Sequence, residues 1–420
     1  MIDPARRAEF VALDAADPLA PLRAAFAVPE DRIYLDGNSL GVPTHAALSA
    51  LKCAAEDEWR GQLIDAWNDA DWIGLPRGLG DRIGRLVGAA PGQVVVCDSI
   101  SVNLLKLISG ALALRPGRTR IVSTDDNFPT DLYVAQGLSA LLGEARCELQ
   151  CVPRDGIADA LDDDVALLML TQVDFRSGER FDLAQTTRLA HDAGALVLWD
   201  LAHSAGEFPV ALDAARADLA VGCGYKFLGG GPGAPAFLYV AERHLAELST
   251  ELRGQPLAGW MGHARPFAFE PDYAAGAGID RYLVGTPPIL SSRALEGALD
   301  VFDEVDLAAV ERKSAVLADS LVELLAGSEV AAELELASPR DPTRRGSQLA
   351  FRHPEDFSLT RALIAQGVVG DFRAPDLLRL GLTPLYLRFV DVFDAAVRIE
   401  ALLCSGGHRD PRFAAATRVT

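Results

Sequence analysis

The chain predicts an α/β protein, with a large domain on a mostly parallel, doubly wound sheet and a smaller C-terminal α+β domain. Three observations predict it. Strand-length apolar runs alternate with helical periodicity from about His45 to Pro288, the pattern of parallel βα units. Two of those runs lead to complementary polar groups, an acid at Asp200 and an amine at Lys226, as expected where strand ends gather at one sheet edge. Past Pro288 the texture changes to long helices with few strands. The expected divisions are an N-terminal arm, 1–45, a large domain, 46–290, and a small domain, 291–420.

Taken in order, the arm holds a polar helical stretch and the short strand Arg32-Ile33-Tyr34-Leu35. That strand runs into Asp36-Gly37-Asn38-Ser39-Leu40-Gly41, a turn of Gly, Asn and Asp. His45 to about Val87 is helical, with an interruption near Leu75-Pro76. Val94-Val95-Val96-Cys97 is a strand, and Ser101 to Leu114 follows as a helix. Further strands are expected at 120–123, 147–152 and 166–170, separated by helices around 130–142 and 184–193. Ala195-Leu196-Val197-Leu198-Trp199 reads as a buried strand ending at Asp200. Asp218 to Cys223 is a second one, delivering Lys226 to the same edge. The small domain is expected to carry one long helix from Ser291 to about Ala326, strands at 348–351 and 377–380, and a closing helix near 391–403.

Composition narrows the function. A chain of 420 residues that is 50% hydrophobic can bury a large core. A net charge of −20 lacks the basic footprint of nucleic-acid binders. The six cysteines, Cys53, Cys97, Cys147, Cys151, Cys223 and Cys404, show no CxxC spacing, which argues for reduced thiols and against a metal site. No run has the length of a membrane span and no stretch reads as a secretion signal, so a soluble cytoplasmic protein is expected.

Lys226 lies in Gly224-Tyr225-Lys226-Phe227-Leu228-Gly229-Gly230-Gly231-Pro232-Gly233. A strand-end amine beside a strand-end acid suits pyridoxal phosphate: the lysine forms the Schiff base, and the aspartate keeps the pyridine nitrogen protonated. The glycines are read as room for backbone to pass near the cofactor. Ile100-Ser101-Val102-Asn103 stands at a helix start, a ready phosphate site, although Ser101 as a plain helix cap is equally compatible. Asp126-Asn127-Phe128-Pro129-Thr130-Asp131 sets an exposed aromatic at another helix start, where a phenyl ring can stack on a pyridine. His203 follows Asp200 on the same loop and is read as tuning the ring's hydrogen bonds, not as a metal ligand. Tyr225 is placed to move protons near the reacting carbons. Arg379, inside the apolar run Leu377-Leu378-Arg379-Leu380, needs an anionic partner, either a substrate carboxylate or a structural acid.

Together these segments resemble the kynureninase family, within the aspartate-aminotransferase-like superfamily of fold type I. The resemblance runs from Tyr34-Leu35-Asp36-Gly37-Asn38-Ser39-Leu40-Gly41 to Pro384-Leu385-Tyr386. Phe128-Pro129-Thr130-Asp131, Trp260-Met261-Gly262-His263 and Gly285-Thr286-Pro287-Pro288-Ile289-Leu290 separate it from cysteine desulfurases, whose Asp-x-x-His and Tyr-Lys elements it shares. The resemblance implies pyridoxal phosphate on Lys226, paired with Asp200 and stacked by Phe128. Ile100, Ser101, Pro129, Thr130, Asp131, Thr171, His203 and Tyr225 would line the cofactor. Trp260 and Thr286 would reach the phosphate from the partner subunit of a homodimer. Arg379 would hold the substrate carboxylate, with Ser39 and Trp67 also at the substrate. Trp67 and Thr286 match the bacterial form that prefers L-kynurenine to its 3-hydroxy derivative. The segment Val173-Asp174-Phe175-Arg176 departs from relatives that carry Asn or His and Tyr there. The implied reaction is hydrolytic Cβ–Cγ cleavage of L-kynurenine to anthranilate and L-alanine. Competing readings are a cysteine desulfurase or related β-lyase and a cofactor-binding protein without turnover. A dehydrogenase fails, because the glycines after Lys226 lack GxGxxG spacing at a first strand–helix turn.

Overall fold

In a computed structural model, which describes residues 1–248 and 255–414, the chain forms two compact units. One combines Met1–Ala46, Phe175–Arg180 and Asp300–Thr420, and the other combines Ala47–Asp174 and Phe181–Leu299. The strands in chain order are Ile33–Tyr34 (β1), Val94–Val96 (β2), Arg120–Thr124 (β3), Glu148–Val152 (β4), Val165–Thr171 (β5), Leu196–Asp200 (β6), Leu219–Cys223 (β7) and Ala236–Val240 (β8). They continue with Glu335–Leu336 (β9), Gln348–Arg352 (β10), Val368–Val369 (β11), Asp371–Arg373 (β12) and Leu377–Gly381 (β13).

The second unit is built on a seven-stranded sheet of order β2-β8-β7-β6-β5-β3-β4. β8 alone runs against its neighbours; the other pairings, through β7, β6, β5, β3 and β4, are parallel. Central strands of such a sheet are covered on both faces and read as unbroken apolar runs. Every residue of β5, β6, β7 and β8 is buried. β4 is the edge strand, and its residues are half-buried or exposed. Helix Ile100–Leu114 packs its buried Leu104, Leu107, Ile108 and Ala111 into the same core as Leu198, Val221 and Leu238.

The first unit carries the four-stranded antiparallel sheet β12-β13-β10-β9, with β1 and β11 forming a separate parallel pair. The N-terminal helix Arg7–Ala16 lies on the closing helix Phe389–Ser405, with Phe10 and Phe393 ring centroids 5.2 Å apart.

One expectation is corrected. The single long helix is two helices, Ile289–Leu299 and Leu307–Ala326. A short 3-10 turn, Asp300–Phe302, follows the first, and Asp306 caps the second by accepting from the Ala308 N–H. The expected interruption near Leu75-Pro76 is present: the helical run ends at Asp69, and the pair starts the next helix, Leu75–Val87, with proline in its first turn.

Candidate active site

Because every strand of the large sheet except β8 runs the same way, the carboxyl ends of β2, β3, β5, β6 and β7 open on one edge. Asp200 closes β6 in register with Thr171, which closes β5. Lys226 lies just past the end of β7. Its Nζ stands 3.0 Å from His203 Nε2, and 6.0 Å and 5.8 Å from the ring centroids of Phe128 and Tyr225. Phe128 precedes helix Pro129–Leu142 and is 38% exposed, a large apolar ring left open beside a half-buried amine and a buried acid. The structure therefore brings Lys226, Asp200, Asp131, Thr171, His203, Tyr225 and Phe128 into one cluster, with Pro129 and Thr130 in the first turn of the Phe128 helix.

The electrostatics of this cluster are unbalanced. Asp131 and Asp200 are both buried, and the two carboxyls act on one another. Burial, and then the Asp200 charge, push the Asp131 carboxyl well above the ordinary carboxylate range. Burial also raises Asp200, offset in part by the Lys226 charge and the Ala202 N–H, which donates to Asp200 Oδ1 at 2.7 Å. Asp131 Oδ1 is buried with no hydrogen-bond partner among the described residues. A buried orphan acceptor beside a buried acid is costly unless something donates to the pair. A protonated pyridine nitrogen is such a donor, so these residues fit pyridoxal phosphate. Burial raises the Tyr225 phenol above its usual range, so it holds its proton at neutral pH.

Asn127 is a residue that sequence reasoning left without a role. Buried, it donates to Ser123 Oγ at 3.0 Å and accepts from the Phe128 N–H at 2.7 Å and Thr171 Oγ1 at 2.5 Å. It thus fixes the aromatic and the threonine to the sheet. At the start of helix Ile100–Leu114 the cap is Ser99, whose Oγ accepts from the Val102 N–H, so Ser101 is not the cap. Ile100 and Ser101 occupy the first turn, where backbone N–H groups lack intrahelical acceptors. Lys106, also missed, is fully buried on this helix and donates to Asp98, to the Tyr282 carbonyl at 2.6 Å and to Asn103 Oδ1 at 3.4 Å. A buried lysine inside an apolar helical run was the available signal.

The glycines after Lys226 shape the turn. Gly229 and Gly231 take positive φ, and a Cβ on Gly230 would meet Gly224 O and Ala234 at 2.9 Å. Trp260 packs edge-on against Trp67, centroids 6.1 Å apart, and against Phe267 at 5.7 Å. Thr286 is exposed. Neither Trp260 nor Thr286 makes a ring contact or hydrogen bond with the Lys226 cluster among the described residues.

The remaining candidates lie in the first unit. Arg379, on β13, is 1% exposed and donates from Nε to Asp371 Oδ1 at 2.8 Å, from Nη2 to Asp371 Oδ2, and from Nη2 to Ser39 Oγ at 2.7 Å. Its Nη1 donates to the Phe175 carbonyl, so the departing side chain at position 175 is bypassed by a backbone contact. Ser39 Oγ donates to Asp371 Oδ2 at 2.7 Å, and Arg373 Nη2 lies 2.8 Å from the same oxygen. Arg379 holds the Asp371 carboxyl below the usual range, although burial opposes this. Asp36, from the turn after β1, is pushed up to about 7 by burial and by the Asp371 charge. The acid that Arg379 required is present within the fold.

A family model described as the kynureninase C-terminal domain matches residues 310–399. A kynureninase of Burkholderia pseudomallei is 48% identical over 99% of both chains. One from Pseudomonas fluorescens is 46% identical over 94% of this chain and 95% of its own. Among solved structures, a C-DES mutant with glycine covalently linked to its PLP cofactor has a TM-score of 0.76 at 18% identity, covering 90% of this chain and 98% of that one. The apo cysteine desulfurase of Thermococcus onnurineus has a TM-score of 0.74 at 18% identity, covering 92% and 98%. At such identities these structures share the fold alone.

Proposed function

The chain belongs to the kynureninase family, and from that premise we propose that it hydrolyses L-kynurenine to anthranilate and L-alanine with pyridoxal phosphate held on Lys226. The observation that carries this reading is the Asp131–Asp200 carboxyl pair around an orphaned acceptor, with Lys226 and His203 3.0 Å apart beside it.

Bound pyridoxal phosphate supplies the electron sink that stabilises negative charge at the substrate's α- and β-carbons. Asp200, with Asp131, would hold the pyridine proton, and His203 and Thr171 would contact the ring. Phe128, ordered by Asn127, would stack on the ring, a contact worth about 0.5–1.5 kcal/mol beyond burial. Ile100, Ser101 and the Phe128–Asp131 turn would hold the remaining polar groups, and Trp260 and Thr286 would complete the phosphate site from a second copy. Lys226 would take the α-proton of the substrate and, after cleavage, return a proton to the α-carbon, which completes L-alanine. Tyr225 keeps its phenolic proton at neutral pH; it would donate to the γ-carbonyl oxygen while taking a proton from the water that adds there, and then relay a proton from the hydrated carbonyl to the β-carbon as the Cβ–Cγ bond breaks. The cluster of Arg379, Ser39 and Asp371 would receive the α-carboxylate, and holding that group restricts the orientation of the substrate's α C–H bond. Trp67 packs on the aryl ring, with L-kynurenine preferred to its 3-hydroxy form.

A homodimer is part of this proposal. Leu48, Leu51, Trp59, Leu63, Ile64 and Ile73 are exposed apolar side chains within one short stretch, with Trp59 57% and Ile64 74% accessible. A second copy is the simplest cover for them. Six free thiols agree with a cytoplasmic site. Among the described residues no helix is long and apolar enough to cross a membrane.

The test mixes purified, pyridoxal-phosphate-loaded protein with L-kynurenine and follows anthranilate fluorescence, with 3-hydroxykynurenine and L-cysteine alongside. Fast anthranilate release is expected. Sulfide from cysteine without anthranilate would move the chain to the desulfurase reading. Cys404 lies within helix Phe389–Ser405, not on a loop, which favours the first outcome.

A further inference from the structure

β12 and β13 pair antiparallel with Asp371 opposite Arg379. Residues two apart on a strand share a face, so Arg373 rises beside Asp371 and completes a triad with Arg379. The two guanidinium groups are in different states. An arginine has five N–H donors. In Arg379, Asp371 takes the Nε proton and one Nη2 proton, Ser39 takes the other Nη2 proton, and the Phe175 carbonyl takes one Nη1 proton. One donor is left, which is too few for a bidentate grip on any further carboxylate unless a bond within the fold gives way.

Arg373 is the open member. Its side chain is 34% exposed against 1% for Arg379. It donates to the Phe372 carbonyl at 3.1 Å and, at the long distance of 3.5 Å, to Ser39 Oγ, and it pairs with Asp371 Oδ2 at 2.8 Å. Its Nε and second Nη1 proton have no acceptor among the described residues. Burial and the adjacent Arg379 charge pull this guanidinium below the usual arginine range, which is the mark of a cation short of counter-charge. Two guanidiniums face one ionised carboxylate, Asp371, while the second acid, Asp36, is largely protonated below about pH 7. The cluster therefore lacks one negative charge and has donors pointing at no protein acceptor.

We infer that Arg373 is a second carboxylate-binding residue, which grips the α-carboxylate of the amino-acid substrate and product beside the single N–H that Arg379 has left. Arg379 then serves chiefly to hold Asp371 and Ser39 in place. This rests on the reading that the cluster takes the α-carboxylate at all, and the test separates the two claims.

The experiment compares L-kynurenine with its decarboxylated amine analogue, used as a competitive inhibitor, on the holoenzyme and on Arg373→Gln, Arg373→Lys and Arg379→Gln. The ratio of the analogue's inhibition constant to the KM of L-kynurenine measures what the carboxylate contributes. In Arg373→Gln the KM is expected to rise about tenfold or more and that ratio to shrink by the same factor. The kcat is expected to change by less than about threefold, since the contact is made equally in ground and transition states. Arg373→Lys keeps charge but loses the planar fork, so it should recover part of the loss. An unchanged ratio in both Arg373 variants, with collapse in Arg379→Gln, would overturn the inference and leave the carboxylate reading standing. A ratio near one in the unmodified enzyme would overturn both. If Arg373→Gln fails to fold, as judged by loss of bound-cofactor absorbance, an unchanged ratio in Arg373→Lys decides against the inference.

Discussion

The two units each hold a pair of aspartates away from solvent, Asp36 being half-buried and the other three buried, and the pairs behave differently. Asp131 and Asp200 face the single amine of Lys226, and both carboxyls are raised. Asp36 and Asp371 face the two guanidinium groups of Arg373 and Arg379, and there Asp371 is lowered while Asp36 alone is raised. Asp131, Asp200 and Asp371 are similarly buried, yet Asp371 alone is lowered, and the difference lies in the counter-charge the fold provides. The first pair is short of a cation and has an orphaned acceptor, Asp131 Oδ1. The second is short of an anion and has unmet donors on Arg373. An imbalance of this kind indicates the charge of what each unit receives, a protonated ring nitrogen in one and a carboxylate in the other.

The largest test of that contrast removes the amine. Lys226→Ala should abolish the visible absorbance of bound cofactor and lower turnover by at least about 10⁴-fold, the upper range for general acid–base groups. Retained activity would dismiss Lys226 from the chemistry and, with it, the reading of the Asp131–Asp200 pair.

Next comes the better-satisfied pair. Arg379→Ala leaves Asp371 buried without its main partner, and removing one member of a buried pair costs about 3–5 kcal/mol of stability. Thermal unfolding should report that loss, and kcat/KM should fall by about 2–5 kcal/mol, mostly in KM. A variant with unchanged kinetics but a lowered Tm would reduce Arg379 to a structural role.

How much of this was legible in the sequence follows from what each feature depends on. β5, β6 and β7 were readable because strands covered on both faces are unbroken apolar runs. Their shared direction brought Asp200 and Lys226 to one edge, so the centre of the site was readable too. β8 was not recognised, because Ala236-Phe237-Leu238-Tyr239-Val240 directly follows a glycine-rich turn and its antiparallel pairing leaves no mark in the pattern. The split between Leu299 and Leu307 was hidden by helical periodicity on both sides, although Asp306 is a cap residue. Arg379 was correctly read as needing an acid. Its partner Asp371 lies on the neighbouring strand, and cross-strand register is a tertiary fact, so a substrate carboxylate and a structural acid stayed equally plausible. Asn127 lies in the segment Asp126–Asp131, but its bonds to Ser123 and Thr171 join separate strands, and periodicity does not report such contacts.

The smallest effect, and the most selective, is on pH. Asp36 is raised to about 7, first by burial and then by Asp371, with Ser39, Arg379 and Arg373 opposing, while the Tyr34 phenol nearby stays protonated. With Asp36 protonated, Arg373, Arg379 and Asp371 sum to one positive charge, and an incoming carboxylate neutralises it. With Asp36 ionised the sum is zero, and the carboxylate meets no net attraction. The KM for L-kynurenine should therefore rise as pH passes upward through about 7, by about tenfold or less, roughly 1.4 kcal/mol. Stability carries the same sign. A carboxyl whose folded value lies above its unfolded value of about 3.9 binds more protons when folded. Its contribution is full at low pH, declines as pH rises past 4, and is lost above about 7. Asp36→Asn fixes the neutral form, so both the KM and the stability profiles should flatten across pH 6–8, while cofactor absorbance, set by the other carboxyl pair, stays unchanged. A KM that still rises with pH in this variant would assign the titration to another group and remove Asp36 from carboxylate binding.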